Sequence, residues 1–264
     1  MNAETAAALI GKELSSAQNL HGGDLSVVQR LHFVDGTTVV LKIAATAAAE
    51  ARMLSAIAAS GASSPGVLAV SGDMLLMQDL GRDQGPSVAW ADLGRQLRRL
   101  HATRGAAYGW NCDHAFGPVP VQNAPVESWP DFWARRRLLP FLPHLPRDVA
   151  RRIEALAARL HNLLPVRPLP ALLHGDLWTG NIMARDGHVT GLIDPACYHG
   201  HAEVDLAMLC LFGTPDGSFW DAYRPDPGLA DRRPIYQLFP ALVHLRLFGP
   251  GYLGLVERCV APFA

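Results

Sequence analysis

The spacing of apolar residues divides the chain into a short mixed part and a longer helical part. In the first 80 residues, NAETAAALIGKEL (residues 2–14) and TAAAEARMLSAIAAS (46–60) have helical spacing. Two β-rich runs flank Asp35-Gly36 and two more flank Gly72-Asp73, which predicts two hairpins. The pattern therefore predicts a helix, a hairpin, a second helix and a second hairpin, which together form a small α+β unit.

After Gly81 the spacing becomes mainly helical. Three stretches are amphipathic with helical spacing: SVAWADLGRQLRRLHA, WPDFWARRRLLPFL and RDVARRIEALAARLHNLL. Further on, Asp186-Gly187 joins two short strand-like runs, and from about Glu203 the chain is again helical. The pattern predicts a small β-rich N-terminal lobe over residues 1–80, a connector over 81–87, and a larger, mainly helical lobe over 88–264.

Two groups of side chains in the helical part have simple structural interpretations. Trp129, Phe132 and Trp133 are expected to pack helices together in the core. The arginines cluster at two places beside apolar residues at helical spacing, so both clusters are expected to form solvated helix faces. These clusters are Arg135, Arg136 and Arg137, and Arg151 and Arg152.

The composition narrows the class of protein. Of 264 residues, 49% are hydrophobic and 18% charged, which is typical of a globular chain. A net charge of −1 does not indicate a nucleic-acid partner. The sequence lacks a run of about 18 apolar residues and a basic N-terminal region, so neither a membrane span nor a signal peptide is expected. The four scattered cysteines lack CxxC spacing and indicate reduced, buried thiols in a cytoplasmic protein.

Polar features of the N-terminal part suit the binding of phosphate groups. Gly22 and Gly23 precede a strand, and paired glycines let backbone N–H groups approach an anion closely. Lys42 ends the next strand, where its ammonium group can reach phosphates. Because apolar residues flank it, Lys42 is expected to be partly buried, and a buried cation needs a partner. Glu50, on the following helix, can supply that carboxylate.

A second polar group lies in the stretch LLHGDLWTGN (residues 172–181) and shortly after it. Asp176 and Asn181 place a carboxylate and an amide oxygen on one loop, where they can face a nucleophile and a metal ion. Asp194 follows a strand-like run, and its hard oxygen ligands suit Mg²⁺. Asp176 is therefore predicted to orient a hydroxyl group and accept its proton, while Asn181 and Asp194 hold Mg²⁺.

The order of these elements is the one that protein kinases use for phosphoryl transfer, with a strand Lys, a helix Glu, H-x-D-x-x-x-x-N and a metal-binding Asp. It predicts ATP and Mg²⁺ as cofactors. His174 is expected to bond within its own loop. By resemblance to kinases, Asp205 would brace the backbone of that loop, and the backbone of Gln78 and Leu80 would hydrogen-bond adenine.

Longer stretches carry a closer resemblance. HGDLWTGN, IDPACYHGHAEVDLAMLCLFG, RRPIYQLFPALVHLRLFGPGY and YGWNCDHAFGPVPVQNAPVESWPDFWARRRLLP together resemble the fructosamine kinase (ketosamine-3-kinase) family over roughly residues 15–255. The resemblance implies an α+β, bilobal, protein-kinase-like fold. It also implies phosphorylation of the C3 hydroxyl of ketosamines, which makes the glycation adduct labile. The expected partner is a small-molecule ketosamine or a glycated lysine, with neither nucleic acid nor membrane involved.

Trp178 is one of the most specific parts of this resemblance, since aminoglycoside and choline kinases usually carry another residue there. It is predicted to stack on the sugar face of the substrate, and the alternative is a core aromatic that wedges the loop. The sequence departs from the family slightly in NCDHAFG and in its nucleotide loop, HGGDLS. Some relatives have a redox-sensitive cysteine in that loop. Its absence here does not support a disulfide-linked dimer, so a monomer or weak dimer is expected.

Other functions remain open at this point. An aminoglycoside- or choline-type phosphotransferase would share the fold and the metal ligands. A nucleotide-binding pseudokinase would keep the fold without turnover, although degenerate kinases usually lose one of the polar residues that are intact here. A zinc hydrolase built on His199 and His201 is a distant alternative, because alternate histidines on a strand share one face.

Overall fold

The computed structural model of the protein describes residues 2–20 and 26–263. Within those residues the N-terminal lobe is built on an antiparallel sheet. Its strands are β1 (Leu14–Asn19), β2 (Val27–Phe33), β3 (Thr38–Ile43), β4 (Val67–Ser71) and β5 (Met74–Gln78), and their order in the sheet is β1-β2-β3-β5-β4. Helix α1 (Asn2–Leu9) precedes the sheet, and helix α2 (Ala47–Ala59) connects β3 to β4.

The two helices cover opposite faces of this sheet, so successive side chains of β3 pack against different helices. Val39 and Leu41 pack in a cluster with Ala6 and Ala7 of α1. Val40 instead packs in a cluster with residues of α2. Since side chains two residues apart lie on the same face of a strand, Lys42 is directed towards α2 together with Val40. The strand period thus places a cation against the first turn of a helix.

One prediction for the N-terminal lobe is wrong. The first helix ends at Leu9 and does not continue to residue 14, because Leu14 begins β1, which pairs with β2. The strand LSSAQN is mostly exposed and lacks apolar alternation, so its pairing partner and not its own pattern determines its conformation. The predicted hairpins are confirmed, since β2 pairs with β3 and β4 pairs with β5.

A connector that follows β5 is held against the C-terminal lobe. The Gln84 N–H donates to the Ala184 carbonyl at 2.8 Å, and the Ala184 N–H donates to Asp83 Oδ1 at 2.8 Å. A 3₁₀ turn at Pro86–Val88 then leads into the first long helix. These hydrogen bonds fix the path of the connector where the chain leaves the sheet.

The C-terminal lobe is mainly helical, as predicted. Its helices are α3 (Trp90–Ala102), α4 (Trp129–Phe132), α5 (Arg147–Leu163), α6 (Glu203–Phe212), α7 (Gly217–Tyr223), α8 (Leu229–Phe248) and α9 (Leu253–Val260). Helix α4 continues into a π-helical turn (Trp133–Leu138) and a 3₁₀ turn (Leu139–His144). Every helix in the described parts of the chain is too short or too polar to span a membrane.

Short antiparallel strand pairs carry the loops of this lobe. They are β6 (His114–Phe116) with β7 (Val119–Val121), β8 (Ala171–Leu173) with β11 (Tyr198–Gly200), and β9 (Ile182–Arg185) with β10 (His188–Leu192). The β9–β10 pair is the hairpin predicted around Asp186-Gly187. The other two pairs consist of three-residue strands, which are too short to show a periodic pattern.

The aromatic residues of α4 and its continuation form the centre of the larger core. Trp129, Phe132 and Trp133 are fully buried, which confirms their predicted role in packing. The indole N–H of Trp129 donates to the Tyr236 hydroxyl at 3.0 Å, so the one polar atom of this ring is satisfied. The prediction of buried cysteines is correct for Cys197 and Cys259, whereas Cys112 and Cys210 are only half-buried.

The predicted solvated face at the first arginine cluster is wrong for Arg137. Its side chain is fully buried, with the guanidinium carbon 4.3 Å from the ring centroid of Tyr198 and 4.7 Å from that of Phe132. It donates to the Gln122 carbonyl and to Asn123 Oδ1, both at 2.7 Å. Arg137 follows Trp133 by four residues, which places it on the same face as that buried ring, and only its charge had suggested a solvated position.

Replacing Arg137 tests whether this buried cation organises the core. We expect Arg137→Ala to lower the free energy of unfolding by about 3–5 kcal/mol, because it removes charged hydrogen bonds and cation–π contacts and leaves a cavity. Arg135→Ala, which truncates an exposed side chain two residues away, is the matched control and should change stability by less than about 0.5 kcal/mol. Equal losses in denaturant titrations of the two variants would contradict the assignment.

Candidate active site

A buried ion-pair cluster connects the two lobes. Lys42 Nζ lies 2.8 Å from Glu50 Oε2 and 2.7 Å from Asp194 Oδ1. Burial alone would lower the pKa of Lys42, but the carboxylates of Asp194 and Glu50 outweigh it and raise that pKa above its usual value. The ammonium group therefore stays charged. The contact predicted between Lys42 and Glu50 is present, and the Lys42–Asp194 contact had not been predicted.

The loop after β8 is fixed by one carboxylate from helix α6. Asp205 is fully buried and accepts hydrogen bonds from the backbone N–H of His174 at 2.7 Å and of Gly175 at 2.9 Å. Gly175 has φ +82°, and a Cβ there would collide with the Ala196 carbonyl. Only glycine fits this close approach, so the glycine of the HGD sequence has a steric reason. The loop can then turn so that Asp176 faces the cleft between the lobes.

His174 ties this loop to the segment that carries Asp194. Its Nε2 lies 2.9 Å from the carbonyl of Ile193, and its Nδ1 lies 3.3 Å from the Asp176 N–H. The carbonyl requires Nε2 to donate and the N–H requires Nδ1 to accept, so the ring is neutral. Burial lowers the pKa of His174, which agrees with the neutral form. A further backbone bond, from Ile193 N–H to the Asn181 carbonyl at 3.0 Å, joins the same two segments.

Asp176 and Asn181 meet at the inner end of the cleft. The Asn181 amide nitrogen donates to the Asp176 carbonyl at 2.9 Å and to its Oδ2 at 3.2 Å. Burial raises the pKa of Asp176 to about 7, although the hydrogen bond from Asn181 acts in the opposite direction. A carboxyl group that titrates near neutral pH is suited to accept a proton from a hydroxyl group.

The donor set around this point fits Mg²⁺. With the Asn181 amide nitrogen directed at Asp176, its Oδ1 remains available to a cation. Asp194 contributes a half-exposed carboxylate and has φ +53°, a left-handed backbone conformation that aspartate tolerates better than most residues. Hard oxygen donors in small number suit a Mg²⁺ ion that completes its shell with water and phosphate oxygens.

These residues line one cleft with a volume of about 690 Å³, which includes Lys42, Glu50, Asp176, Trp178, Asn181 and Asp194. The Trp178 side chain is 40% exposed, and its ring lies over Gly180, where a Cβ would collide with it. This exposure differs from that of a core residue. Trp178 thus stands at the edge of the cleft beside Asp176.

Two sets of predicted nucleotide-binding residues are not brought into this cluster. Gln78 ends β5 and Leu80 follows it, and neither is among the residues that line the cleft. Gly22 and Gly23 lie outside the described residues.

The structure also shows polar residues that sequence reasoning missed. His101 of α3 has its Nε2 3.1 Å from Asp205 Oδ2 and its Nδ1 2.8 Å from the Tyr223 hydroxyl. Although burial opposes it, the hydrogen bond from His101 helps to lower the pKa of Asp205 and keep it ionised. His114 also lines the cleft, and burial together with Lys42 and Arg137 lowers its pKa to about 4. A polar residue at the end of an amphipathic helix is the only signal that could have indicated His101.

The alternative zinc site receives no support from the described part of the chain. His201 Nδ1 lies 2.8 Å from the Tyr236 hydroxyl, and the His199 ring packs against Trp110 with centroids 5.3 Å apart. Residues 2–20 and 26–263 contain no group of three or more His, Cys, Asp or Glu side chains that could hold a metal ion. Both histidines have structural contacts instead.

Comparison with known proteins agrees with this geometry. The model of the fructosamine kinase family matches residues 2–263. A Synechocystis protein named probable ketoamine kinase is 36% identical over 186 residues, which are 67% of this chain and 63% of that protein, less than two thirds of its length. A probable ketoamine kinase from Thermus thermophilus is 36% identical over 223 residues, covering 81% of this chain and 80% of that protein.

A solved structure gives the same result for the fold. The crystal structure of a Thermobifida fusca protein, provisionally named fructosamine-3-kinase, is 30% identical and has a TM-score of 0.90, with 98% of this chain and 96% of that chain covered. The bilobal α+β fold is that of the protein-kinase-like class, and the order of the polar groups agrees with it. The chain belongs to the fructosamine kinase family. The predicted fold class and family are therefore confirmed.

The raised pKa of Asp176 has a consequence for stability. Between its usual pKa of 3.8 and the folded value of about 7, the folded protein holds a proton that the unfolded chain has lost. Stability therefore falls as the pH rises through this window. Asp176→Asn removes the penalty, so its stability relative to the native protein should rise by about 2–3 kcal/mol between pH 5 and pH 8.

Urea unfolding of both proteins at the two pH values measures this difference. Asp186→Asn makes the same change in an exposed aspartate at the tip of the β9–β10 hairpin and provides the matched control for the substitution itself. A pH-independent difference for Asp176→Asn would show that Asp176 is already ionised at pH 5.

Proposed function

We propose that the protein is an ATP-dependent kinase that phosphorylates the C3 hydroxyl of ketosamines. The observation that carries the proposal is the position of Asp176, which lies partly buried beside Asn181 and shares a cleft with the Lys42–Glu50–Asp194 cluster. The kinase-like family implies the use of ATP. Relatives named ketoamine kinase and ketosamine-3-kinase support a ketosamine as the acceptor.

In this proposal each polar residue has a role that its surroundings allow. Asp176 orients the acceptor hydroxyl and accepts its proton, because its pKa near 7 matches that task. Lys42 binds the phosphates of the nucleotide, and Glu50 keeps its ammonium group in position. Asn181 and Asp194 would hold Mg²⁺, which neutralises charge on the phosphates when bound.

The Lys42–Asp194 contact indicates how the free site avoids unbalanced charge. Lys42 neutralises Asp194 at 2.7 Å in the structure described here. A metal–nucleotide complex would bring a cation for Asp194 and anionic oxygens for Lys42. Lys42 would then exchange Asp194 for the anionic oxygens, and Asp194 would exchange Lys42 for the cation, so binding does not leave a buried charge unpaired.

Three further residues around the active site have roles in the proposal. His174 and Asp205 position the loop that carries Asp176 and do not contact the substrate. Trp178 is assigned to the sugar face of the acceptor, because a half-exposed ring beside the reacting group can stack on it.

We also place the boundary between the lobes in the connector at residues 81–87. In this proposal the backbone of Gln78 and Leu80 contacts the nucleotide, and so does the Gly22-Gly23 loop.

The other readings have less support. A pseudokinase usually lacks one of the residues that are intact here, namely Lys42, Asp176, Asn181 and Asp194. An aminoglycoside acceptor carries several ammonium groups, and two of the three carboxylates that line the cleft already contact Lys42. We further propose a cytoplasmic protein that acts as a monomer or weak dimer on small ketosamines or glycated lysines, without nucleic-acid or membrane partners.

Turnover against an acceptor panel tests the proposed function. With ATP and Mg²⁺, we expect phosphorylation of a ribulosamine or a fructosamine but not of choline or an aminoglycoside. Asp176→Asn should lower turnover by about 10²–10⁴-fold without loss of nucleotide binding, because it removes only the proton acceptor. Turnover of choline or the aminoglycoside alone would replace the acceptor assignment, and ATP binding without any turnover would favour the pseudokinase.

Trp178→Ala tests the assignment of the acceptor side of the cleft. We expect KM for the ketosamine to rise by about tenfold or more through loss of aromatic packing, with little change in KM for ATP. The conservative variant Trp178→Phe should recover most of the loss, since it keeps a ring over Gly180. Equal increases in both KM values would instead indicate that Trp178 supports the loop as a whole.

A further inference from the structure

The outer end of the cleft has a different chemistry from the end that contains Asp176. Helices α6 and α8 and the turn after α8 bring together four aromatic rings, which we call the aromatic wall: Phe212, His244, Phe248 and Tyr252. The His244 ring centroid lies 4.8 Å from that of Phe212, 5.4 Å from Phe248 and 5.2 Å from Tyr252. All four line the same cavity as Asp176 and Trp178.

The wall exposes apolar surface that a ligand could cover. Phe212 is 37% exposed and Phe248 is 49% exposed, which places them among the exposed large hydrophobic residues of the described chain. Aliphatic side chains, including Val243 and Leu247, extend the apolar lining between the rings. Exposed apolar surface that is contiguous with a catalytic cleft is typical of a ligand-binding site.

His244 adds one polar group of defined character to the wall. Its Nδ1 lies 2.8 Å from the Pro240 carbonyl, so Nδ1 must donate the hydrogen. Burial lowers the pKa of His244, and the ring is neutral. Nε2 therefore keeps its lone pair and has no hydrogen-bond partner among the described residues. The wall thus offers an imidazole acceptor, besides the Tyr252 hydroxyl, within a largely apolar surface.

Charged side chains are confined to the other end of the cleft. Among the described residues that line it, the charged ones are Lys42, Glu50, Asp176 and Asp194, and the ion pairs between Lys42, Glu50 and Asp194 keep them near the reacting groups. The aromatic wall has no carboxylate to neutralise a second ammonium group of an acceptor. An acceptor with several ammonium groups would therefore find no ion-pair partner at the wall.

From this polarity we propose that the aromatic wall binds an apolar alkyl chain carried by the amine of the ketosamine, such as the methylene chain of a glycated lysine. The assignment rests on the proposed function. A ketosamine has its hydroxyl on C3 and its amine on C1, so a hydroxyl at Asp176 leaves the amine and its substituent to extend outward along the cleft. The amine can donate to His244 Nε2, and the alkyl chain then packs on the rings.

A series of ribulosamines made from methylamine, propylamine and hexylamine tests the assignment. For the native protein, we expect kcat/KM to rise by about two- to fourfold for each added methylene, as burial of apolar surface predicts. Phe248→Ala should flatten this dependence, and His244→Phe should lower kcat/KM for the whole series while keeping the dependence on chain length. Phe248→Leu, which keeps most of the apolar volume, should restore part of the dependence on chain length.

Controls separate failure of this inference from failure of the proposed function. Leu169→Ala truncates a side chain that is 59% exposed and lies outside the cleft, so it should leave the dependence on chain length unchanged. Equal kcat/KM across the series would overturn the alkyl subsite and leave the ketosamine kinase assignment intact. A dependence that persists in Phe248→Ala would place the chain elsewhere and also overturn the subsite. Phosphorylation of no ribulosamine at all would overturn both.

Discussion

The buried carboxylate of Asp205 is the constraint on which the active site depends. It is fully buried and would be costly there without hydrogen-bond donors. Two backbone N–H groups and the His101 ring satisfy it, and two of these donors belong to the loop that carries Asp176. The loop cannot move away without leaving a buried charge unpaired. Helix α6 therefore fixes the backbone of the reacting segment, and His174 extends that order to the residue before Asp194.

The electrostatics of the cleft also depend on how its charged side chains are paired. One ammonium group, on Lys42, is shared between Glu50 and Asp194, and its contact with Asp194 joins the sheet lobe to the helical lobe. Asp176 has no cation in direct contact, and burial accordingly raises its pKa to about 7. Among three carboxylates in one cleft, Glu50 holds the ammonium group of Lys42 in place and Asp194 is suited to hold a metal ion. The third is left as a proton acceptor, and environment rather than residue type makes this division.

The sequence predicted those parts of the molecule that local patterns encode. The hairpins around Asp35-Gly36 and Gly72-Asp73 have turn residues that define them, and the motif spacing identified the polar residues that meet in the cleft. It could not predict β1, whose conformation comes from pairing with β2. It also could not predict the burial of Arg137 in a π-helical segment, because a charged residue normally indicates a solvated face. His101 and the aromatic wall were missed for a related reason. Their partners lie far away in sequence, at Asp205 and across two helices, and periodicity carries no information about such contacts.

The cleft as a whole runs from charged to apolar, and this gradient has a consequence for catalysis. Contacts at the charged end can differ between the bound substrate and the transition state, because charge moves there. Contacts at the aromatic wall are the same in both, so they can only hold the acceptor and limit its motion. In the proposed function, such remote binding would place the acceptor hydroxyl beside Asp176 without requiring further polar groups near the reacting atoms. On this view, the chemistry depends on few residues because the apolar end of the cleft supplies orientation.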